Sequence, residues 1–304
     1  MHKTIKVYTI DSFSLSGEAQ TGNPAGFVVD LPELEETEMK MIAAAVGFSE
    51  TAFIVPIHST EADKGDKSDK TADFKVRFFT PTDEVDLCGH ATIGLFSGLY
   101  QLGRLSAGNY IQETKAGLLM VKIAADGQVL MEQASPQMGA VYKPSQIAES
   151  LGLSPNDIRT DLPCQAVSTG LLDLLIPVKD VETLERIVAD DEAIAKISSE
   201  FEVVGYHVFA LTNETGKNAE TIATLRCRNF APLYGIPEEA ATGTSNGALA
   251  AYLNVYMPRL GDRFEVTQGV EMQRPSQINA QIDDEGKVWV GGYACHLDHQ
   301  TVTL

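Results

Sequence analysis

Positive charge is scarce in this 304-residue chain, which has 23 Lys and Arg residues against 42 Asp and Glu residues. The formal net charge of −19 argues against nucleic-acid binding, because phosphate backbones are bound by clustered cations. No uninterrupted apolar run reaches the ~18 residues that a membrane-spanning helix needs, so we expect no membrane partner. Residues 1–10 alternate apolar and polar side chains, which predicts a first strand rather than a signal peptide.

Cysteine is also scarce, and Cys88, Cys164, Cys227 and Cys295 form none of the close pairs typical of zinc or redox sites. This usage is typical of a reducing compartment, so we expect a cytoplasmic protein without a metal. The six histidines are scattered as well. The phosphate-binding pattern GxxxxGK(S/T) and the dinucleotide pattern GxGxxG after a strand are both missing. The sequence therefore does not support a nucleotide cofactor.

Short strand-like segments recur along the chain between fewer helical ones, which predicts an α+β fold. The main predicted strands are 5–10, 26–29, 51–55, 73–79, 118–123, 174–178, 207–211 and 288–291, and the predicted helices are 33–46, 144–151, 181–189 and 193–201. The polar and charged segment 58–73 predicts an exposed loop.

An internal repeat is the most informative pattern. The spacing R-x-F-x-P occurs at residues 77–81 and again at 228–232. Each copy is followed by a glycine-containing turn, then by a run of small apolar residues at 88–95 or 242–253, and then by a Gln and a Gly that we expect to open a strand. This shared order predicts a duplication with two similar lobes.

The two runs of small residues predict helices that fit inside a tightly wrapped sheet, since small side chains permit close backbone approach. A helix amino end carries unpaired N–H groups and the positive end of the helix dipole, and it therefore favours a carboxylate or a phosphate. If two such ends face each other across a cleft, that cleft would hold a small anion.

Three segments contain candidate catalytic or binding residues. Glu50 precedes an apolar strand, where burial would raise its pKa and suit it to general acid or base catalysis; alternatively it is an exposed loop residue. Cys88 and His90 lie at a predicted helix start, which lowers a thiol pKa and favours a neutral imidazole; alternatively they are a buried thiol and a capping residue. Residues 237–245 supply carboxylates, hydroxyls and a glycine, which are also common as helix caps.

Taken together, these segments resemble the PhzF-like, phenazine-biosynthesis-type isomerases, which have the diaminopimelate epimerase fold. The matching segments follow the family order over nearly the whole chain: TGNPAG (21–26), SETAF (49–53), FTP (79–81), LCGHAT (87–92), VSTG (167–170), RNFAP (228–232), ATG (241–243), QG (268–269) and RPS (274–276).

The resemblance implies two pseudo-symmetric lobes, each a curled, mostly antiparallel sheet or half-barrel around a central helix. We expect an amino-terminal lobe at 1–128, to which the C-terminal strand 290–304 returns, and a carboxy-terminal lobe at 129–289. The resemblance further implies a cofactor-independent isomerase, commonly a homodimer, with its site in the cleft between the lobes.

By position, the family's catalytic glutamate falls on Glu50. The residues implied to bind substrate are Gly89, His90, Glu239, Gly243 and Thr244, and Cys88 is a possible secondary residue. Where the family reads E-D-P-A-T-G-S, residues 238–244 read E-E-A-A-T-G-T. The carboxylate at position 239 and the hydroxyl at position 244 are thus retained, but Glu replaces Asp and Thr replaces Ser.

The hypothesis is that Glu50 moves a proton within a small carboxylate-bearing substrate. One alternative is a racemase or epimerase that depends on Cys88. Such a racemase uses two cysteines as acid and base, and the second would be required at the position of Thr242. A hydroxyl has too high a pKa to replace a thiolate. The other alternative is a non-catalytic protein that binds or senses small acids. An anionic ligand requires the excess of acidic residues to lie away from the site, for example at 33–38 and 61–73.

Overall fold

The computed structural model describes residues 3–15, 18, 20–30, 33–55, 72–213 and 222–304. Most of the predicted loop at 58–73, including its acidic residues before 72, lies outside these ranges. The acidic residues Glu33, Glu35 and Glu36 are exposed, as expected for the other acidic segment. No described helix is long and apolar enough to cross a membrane.

The chain forms two compact units. The first unit contains residues 1–19, 23–132 and 292–304, and the second contains residues 20–22 and 133–291. The sequence placed the corresponding boundaries at residues 128 and 290.

The first unit contains nine described strands and two helices. They are β1 (Thr4–Ser12), β2 (Asn23–Val28), α1 (Glu36–Val46), β3 (Thr51–Val55), β4 (Phe74–Phe79), β5 (Glu84–Val85), α2 (Gly89–Gln101), β6 (Gly108–Thr114), β7 (Gly117–Ile123), β8 (Val129–Glu132) and β18 (Ala294–Thr303). The strands lie in the order β18-β1-β2-β3-β4-β6-β7-β8, and β5 pairs with β4 as well. Among these pairs, β2–β3 and β4–β6 are parallel, and the others are antiparallel.

The second unit repeats this arrangement. Its elements are β9 (Gln137–Tyr142), β10 (Cys164–Ser168), β11 (Leu172–Pro177), α3 (Val181–Glu185), α4 (Asp191–Phe201), β12 (Tyr206–Asn213), β13 (Ala223–Ala231), β14 (Ile236–Glu239), α5 (Gly243–Tyr256), β15 (Arg263–Gln268), β16 (Ser276–Ile282) and β17 (Val288–Gly292). Their order is β9-β10-β11-β12-β13-β15-β16-β17, with β14 also on β13, and the parallel pairs are β11–β12 and β13–β15. The parallel pairs fall at the same two places, so the repeat in the sequence is a repeat of topology.

A small-residue helix is the core element of each unit. Helix α2 contacts strands β1, β2, β3, β7, β8 and β18, and α5 contacts β10, β11, β15 and β16. Ten of the 13 residues of α2 and ten of the 14 residues of α5 are buried. Glycine is required at the closest approach, because a Cβ atom on Gly98 would overlap the Phe27 ring on β2. The small side chains therefore let each sheet close around its helix.

The R-x-F-x-P repeat makes the same contacts in both units. On β4, Arg77 binds both carboxylate oxygens of Glu84, at 2.8 and 2.6 Å, and its guanidinium lies 4.9 Å from the Phe79 ring centre. On β13, Arg228 binds both oxygens of Glu238 at 2.8 Å and lies 5.0 Å from the Phe230 ring centre. This bidentate and stacked geometry suits arginine specifically.

Two local predictions were wrong. Residues 144–151 form two 3₁₀ turns rather than one α-helix, because Ile147 between them has a φ of −124°. The prediction that the Gln–Gly pairs open strands was wrong in the second unit, where Gln268 ends β15; in the first unit Gln112 lies within β6, and Gly117 begins β7. Both glutamines are fully buried and hydrogen-bonded to the first turn of the neighbouring helix, through Thr92 in the first unit and Thr242 in the second.

Candidate active site

Glu50 lies in the short connection between α1 and β3. Helix α1 ends at Gly47, whose φ of 78° is the left-handed conformation that favours glycine at this position. The Glu50 carbonyl accepts a hydrogen bond of 3.2 Å from the Gly26 N–H at the start of the parallel β2–β3 pairing. The backbone is thereby fixed, and the Glu50 side chain is only 20% exposed.

His90 links Glu50 to Cys88 at the amino end of α2. The His90 Nε2 atom lies 3.2 Å from Glu50 Oε2 and 3.4 Å from Ser49 Oγ. Its Nδ1 atom lies 3.4 Å from the Cys88 sulfur. The His90 backbone is held as well, because its carbonyl accepts a hydrogen bond of 2.7 Å from Ser12. The structure thus brings together three of the residues selected from the sequence: Glu50, Cys88 and His90.

The charge states in this cluster differ from the expectation. Burial alone would raise the pKa of Glu50, but the hydrogen bond and positive charge of His90 lower it below its ordinary value. Burial likewise opposes a charge on His90, yet contacts with Cys88 and Glu50 hold its pKa well above the ordinary value. Burial raises the pKa of the Cys88 thiol. The contact between Glu50 and His90 therefore favours an ionised carboxylate beside a protonated imidazole, and all three pKa directions are opposite to those predicted from the sequence.

The same three side chains could also hold a metal ion. Their donor atoms lie within 4.8 Å of one another, and the set of one oxygen, one nitrogen and one sulfur suits zinc. Binding would require His90 and Cys88 to lose their protons.

The first turn of α2 lies next to this cluster. The backbone N–H groups of its first three residues have no partner within the helix, and they carry the positive end of the helix dipole. Gly89 opens the turn, and the nearest atom to a Cβ built there is Met131 Cε at 3.8 Å. Gly89 is partly exposed, so this helix end suits an anionic group.

The remaining predicted residues lie in the second unit. Glu239 ends β14, and its Oε2 atom accepts a hydrogen bond of 3.0 Å from the Thr242 hydroxyl. Gly243 opens α5, as Gly89 opens α2. Thr244 is half-buried, and its carbonyl accepts a hydrogen bond from Thr169. A carboxylate and a helix amino end are therefore adjacent here.

Sequence reasoning missed a buried polar network behind these residues. Its members come from β11, β12, β13, α5 and β15: Asp173, His207, Asn229, Ser245, Asn246 and Gln268. All six side chains are less than 4% exposed. Asn246 occupies the position equivalent to Thr92, three residues after the glycine that opens its helix, so aligning the two repeats residue by residue would have indicated Asn246.

Residues 243–247 match the GxSxG pattern of serine hydrolases, but the structure excludes that use. Ser245 is the third residue of α5 and is 1% exposed, and its hydroxyl donates to Asp173 at 2.7 Å. A serine nucleophile instead requires an exposed hydroxyl on a sharp strand-to-helix turn.

Asp173 should make the stability of the protein depend on pH. Burial raises its pKa to about 7, so its contribution to the unfolding free energy is fully present below the unfolded pKa, near 3.8, and is lost as pH rises to about 7. An Asn side chain has no charge to bury. In urea unfolding, the unfolding free energy of Asp173→Asn relative to that of the parent should therefore rise by about 2–3 kcal/mol from pH 5 to pH 8. An equal difference at both pH values would contradict this assignment.

The chain is similar to known proteins over nearly its whole length. A family model described as phenazine biosynthesis-like protein, PhzC-PhzF, matches residues 10–299. An uncharacterized isomerase of Bacillus subtilis is 32% identical over 93% of this chain and 94% of its own length. The trans-2,3-dihydro-3-hydroxyanthranilate isomerase of Pseudomonas aeruginosa is 26% identical over 94% of this chain and 92% of its own length.

Solved structures support the same relationship. A PhzF-family phenazine biosynthesis protein of Bacillus anthracis has a TM-score of 0.80 and 31% identity, covering 99% of this chain and 100% of that chain. A hydroxyproline epimerase of Agrobacterium vitis, at a TM-score of 0.59 and 12% identity over 99% of this chain and 91% of its own, shares the fold alone. The predicted fold class is confirmed.

Proposed function

Since the chain belongs to the phenazine biosynthesis-like PhzC-PhzF family and is an isomerase of that family, we propose that Glu50 is its single acid–base group. The observation that supports this proposal is the contact of 3.2 Å between Glu50 and His90, which keeps the Glu50 carboxylate ionised in a largely buried position. Hydrogen bonds from Ser49 and Cys88 also favour the ionised form, and an ionised carboxylate can accept a proton.

In the proposed reaction, a Glu50 oxygen takes a proton from an acidic carbon of the substrate, and the electron pair of that C–H bond stays on the substrate. The resulting anion is delocalised into the neighbouring unsaturated system. Glu50 then returns the proton to a different carbon, so that no atom is gained or lost. Retention of the same proton requires the substrate to stay bound and water to be excluded.

The remaining predicted residues bind substrate in this proposal. The N–H groups at the amino end of α2, around Gly89, suit the substrate carboxylate, and His90 fixes a polar substituent. Glu239, Gly243 and Thr244 contribute a carboxylate, a second helix amino end and a hydroxyl. The substrate class is a small unsaturated carboxylic acid, and the compound in the name of the Pseudomonas relative is the first to test.

Proton-exchange NMR tests the proposal. Incubated in D₂O with trans-2,3-dihydro-3-hydroxyanthranilate, or with small carboxylates that raise the melting temperature, the protein should isomerise a compound or exchange one of its carbon-bound protons. A ligand that binds without exchange or isomerisation would support the non-catalytic alternative instead.

Cys88→Ala distinguishes the Cys88-dependent racemase. Because burial keeps this thiol protonated, and Thr242 stands at the equivalent position of the second unit, we expect exchange to survive the substitution within about tenfold, a change of about 1.4 kcal/mol in the barrier. Loss of exchange in Cys88→Ala, together with its retention in Glu50→Gln, would favour the racemase.

A further inference from the structure

One buried hydroxyl group contacts the first turn of the central helix in each unit. In the first unit, Ser12 Oγ donates to the His90 carbonyl at 2.7 Å. In the second unit, Thr169 Oγ1 donates to the Thr244 carbonyl at 3.0 Å. His90 and Thr244 are each the second residue of their helix, α2 or α5. The two units therefore make the same contact at equivalent positions of the helix.

The two hydroxyl groups also come from equivalent places in the sheets. Ser12 is the last residue of β1, and Thr169 directly follows β10. These strands are each the second in the order of their unit, and each packs against the helix of that unit. Ser12 is fully buried and Thr169 is 2% exposed, and a hydrogen bond is stronger in such a low-dielectric setting. The contact thus ties the start of each helix to the strand beside it.

A glycine on the next turn of each helix makes room for the hydroxyl group. A Cβ atom on Gly94 would lie 2.7 Å from Ser12 Oγ, and a Cβ atom on Gly247 would lie 2.9 Å from Thr169 Oγ1. In both helices the hydroxyl oxygen is the atom nearest to the added Cβ. Alanine at either position would therefore crowd the hydroxyl group that holds the helix.

The two carbonyl groups do not need this second donor. Only the last four carbonyl groups of a helix lack a partner within the helix, whereas His90 and Thr244 stand at the beginning. A buried hydroxyl must be hydrogen-bonded if it is not to oppose folding, and alanine would avoid this requirement. The next helix position differs between the units, with Ala91 in one and Ser245 in the other. Both units nevertheless keep a hydroxyl at this contact, which indicates a role beyond packing.

The contact acts on the first turn, where helices fray most readily. Because a peptide group is planar, holding the His90 carbonyl also fixes the Ala91 N–H on the other side of the same peptide group. The Thr244 carbonyl and the Ser245 N–H are coupled in the same way. With its backbone held, the His90 side chain leaves the helix in one direction, which places Nε2 3.2 Å from Glu50 Oε2.

We propose that Ser12 and Thr169 are positioning residues for the isomerase reaction. Each ties the first turn of its helix to the neighbouring strand, and it thereby fixes one residue of the proposed substrate site, His90 or Thr244. This inference rests on the proposed function, because the roles of His90 and Thr244 are assigned there. Neither hydroxyl group touches a reacting atom.

Histidine NMR tests the role of Ser12 without any substrate. In ¹⁵N-histidine-labelled protein, Glu50→Gln should shift the ring nitrogen signals of His90, because the two side chains are in contact. In a Ser12→Ala background, the same Glu50→Gln step should shift these signals by at most about half as much, since the ring is no longer held at this distance. An undiminished shift would overturn the role of Ser12.

Ser150→Ala is the matched control. Ser150 is 3% exposed, and its hydroxyl donates to the Ile147 carbonyl at 2.7 Å, as Ser12 donates to His90. It lies in a 3₁₀ turn that contains none of the proposed site residues. Ser150→Ala should lower the melting temperature about as much as Ser12→Ala, but it should leave the His90 response and the turnover unchanged.

Kinetics then test the functional consequence of losing the Ser12 hydroxyl. The reaction followed is the isomerisation of trans-2,3-dihydro-3-hydroxyanthranilate, or of the substrate found by NMR screening. Ser12→Ala should lower kcat by about 10- to 100-fold, because His90 contacts the acid–base group Glu50 and small misplacements there are costly. A loss of kcat no larger than that of Ser150→Ala would overturn the proposal for Ser12.

Thr169 allows a second comparison, because valine and serine separate its hydroxyl group from its shape. Thr169→Val keeps the volume but removes the donor, and we expect KM to rise by about 10-fold with a smaller change in kcat, since Thr244 binds substrate. Thr169→Ser loses a methyl group but keeps the donor, so its KM should lie within about twofold of the parent. Equal losses in the two variants would indicate packing alone and overturn the proposal for Thr169.

These experiments separate this inference from the proposed function. If Glu50→Gln keeps full turnover, the proposed function fails, while the NMR response of His90 to Ser12→Ala still stands or falls by itself. If Glu50→Gln is inactive but Ser12→Ala and Thr169→Val lose no more activity than Ser150→Ala, the proposed function stands and the positioning roles are wrong.

Discussion

Glu50→Gln should lower kcat by at least about 10³-fold, because a positioned general base contributes 10²–10⁴-fold and Glu50 serves both proton-transfer steps. Glutamine has nearly the same shape and can still contact His90 and Ser49, but it cannot accept a proton from carbon. Ligand binding, measured as the shift in melting temperature, should change little. The largest effect should therefore be on kcat rather than on KM.

The matched control is Glu149→Gln, which makes the same chemical change at an exposed position of the second unit and should leave kcat unchanged. Glu50→Asp keeps the carboxylate but draws it back by one methylene, so its kcat should lie between the parent and Glu50→Gln. Turnover of Glu50→Gln within threefold of the parent would rule out Glu50 as the acid–base group.

Arg228→Met should be the most destabilising of the single substitutions considered, lowering the unfolding free energy by about 3–5 kcal/mol. The Arg228 side chain is 9% exposed, and besides Glu238 it binds the carbonyl oxygens of Leu184 and Ile187. Methionine fills part of the volume but leaves the Glu238 carboxylate and both carbonyl groups without this donor. Urea unfolding at pH 7 measures the loss.

Arg77→Met is the matched comparison at the equivalent position. Arg77 is 26% exposed, and its partner Glu84 keeps a second cation, Lys115, at 2.7 Å. The loss should therefore be clearly smaller than at Arg228. In the second unit, replacing both Arg228 and Glu238 with Met should recover part of the stability, since no unpaired charge remains. Equal losses for Arg77→Met and Arg228→Met would contradict this account.

The strands were predicted in part: the bounds of β3 at residues 51 and 55 match the prediction, whereas β10, β13 and β15 were not predicted although many of their residues are buried. Strand β9 was missed because nearly all of its residues are exposed, so the sequence carries no periodic signal. The 3₁₀ turns at 144–151 were misread as an α-helix because a short apolar spacing does not distinguish the two helix types.

The proximity of the candidate residues of the first unit was predictable from the sequence, but their electrostatics was not. Glu50, Cys88 and His90 are close in the fold because Glu50 precedes β3 and the other two residues lie at the start of α2, which contacts β3; motif matching was enough to select them. Their charges depend on a contact of 3.2 Å between side chains 40 residues apart, which no local pattern encodes. The buried polar network of the second unit was missed for the same reason, since its six members come from five separate elements.

The pairing of β18 with β1 has a consequence for how the protein is made. Thr4 pairs with Thr303, so β1 leaves the ribosome long before β18, the strand that completes its ladder. The second unit, apart from residues 20–22, is continuous from 133 to 291 and is synthesised in full earlier. Bringing β1 and β18 together closes a loop that contains nearly the whole chain, and closing so long a loop is slow. During translation, β1 therefore presents an unpaired edge, the kind of surface on which chaperones act and misassembly begins.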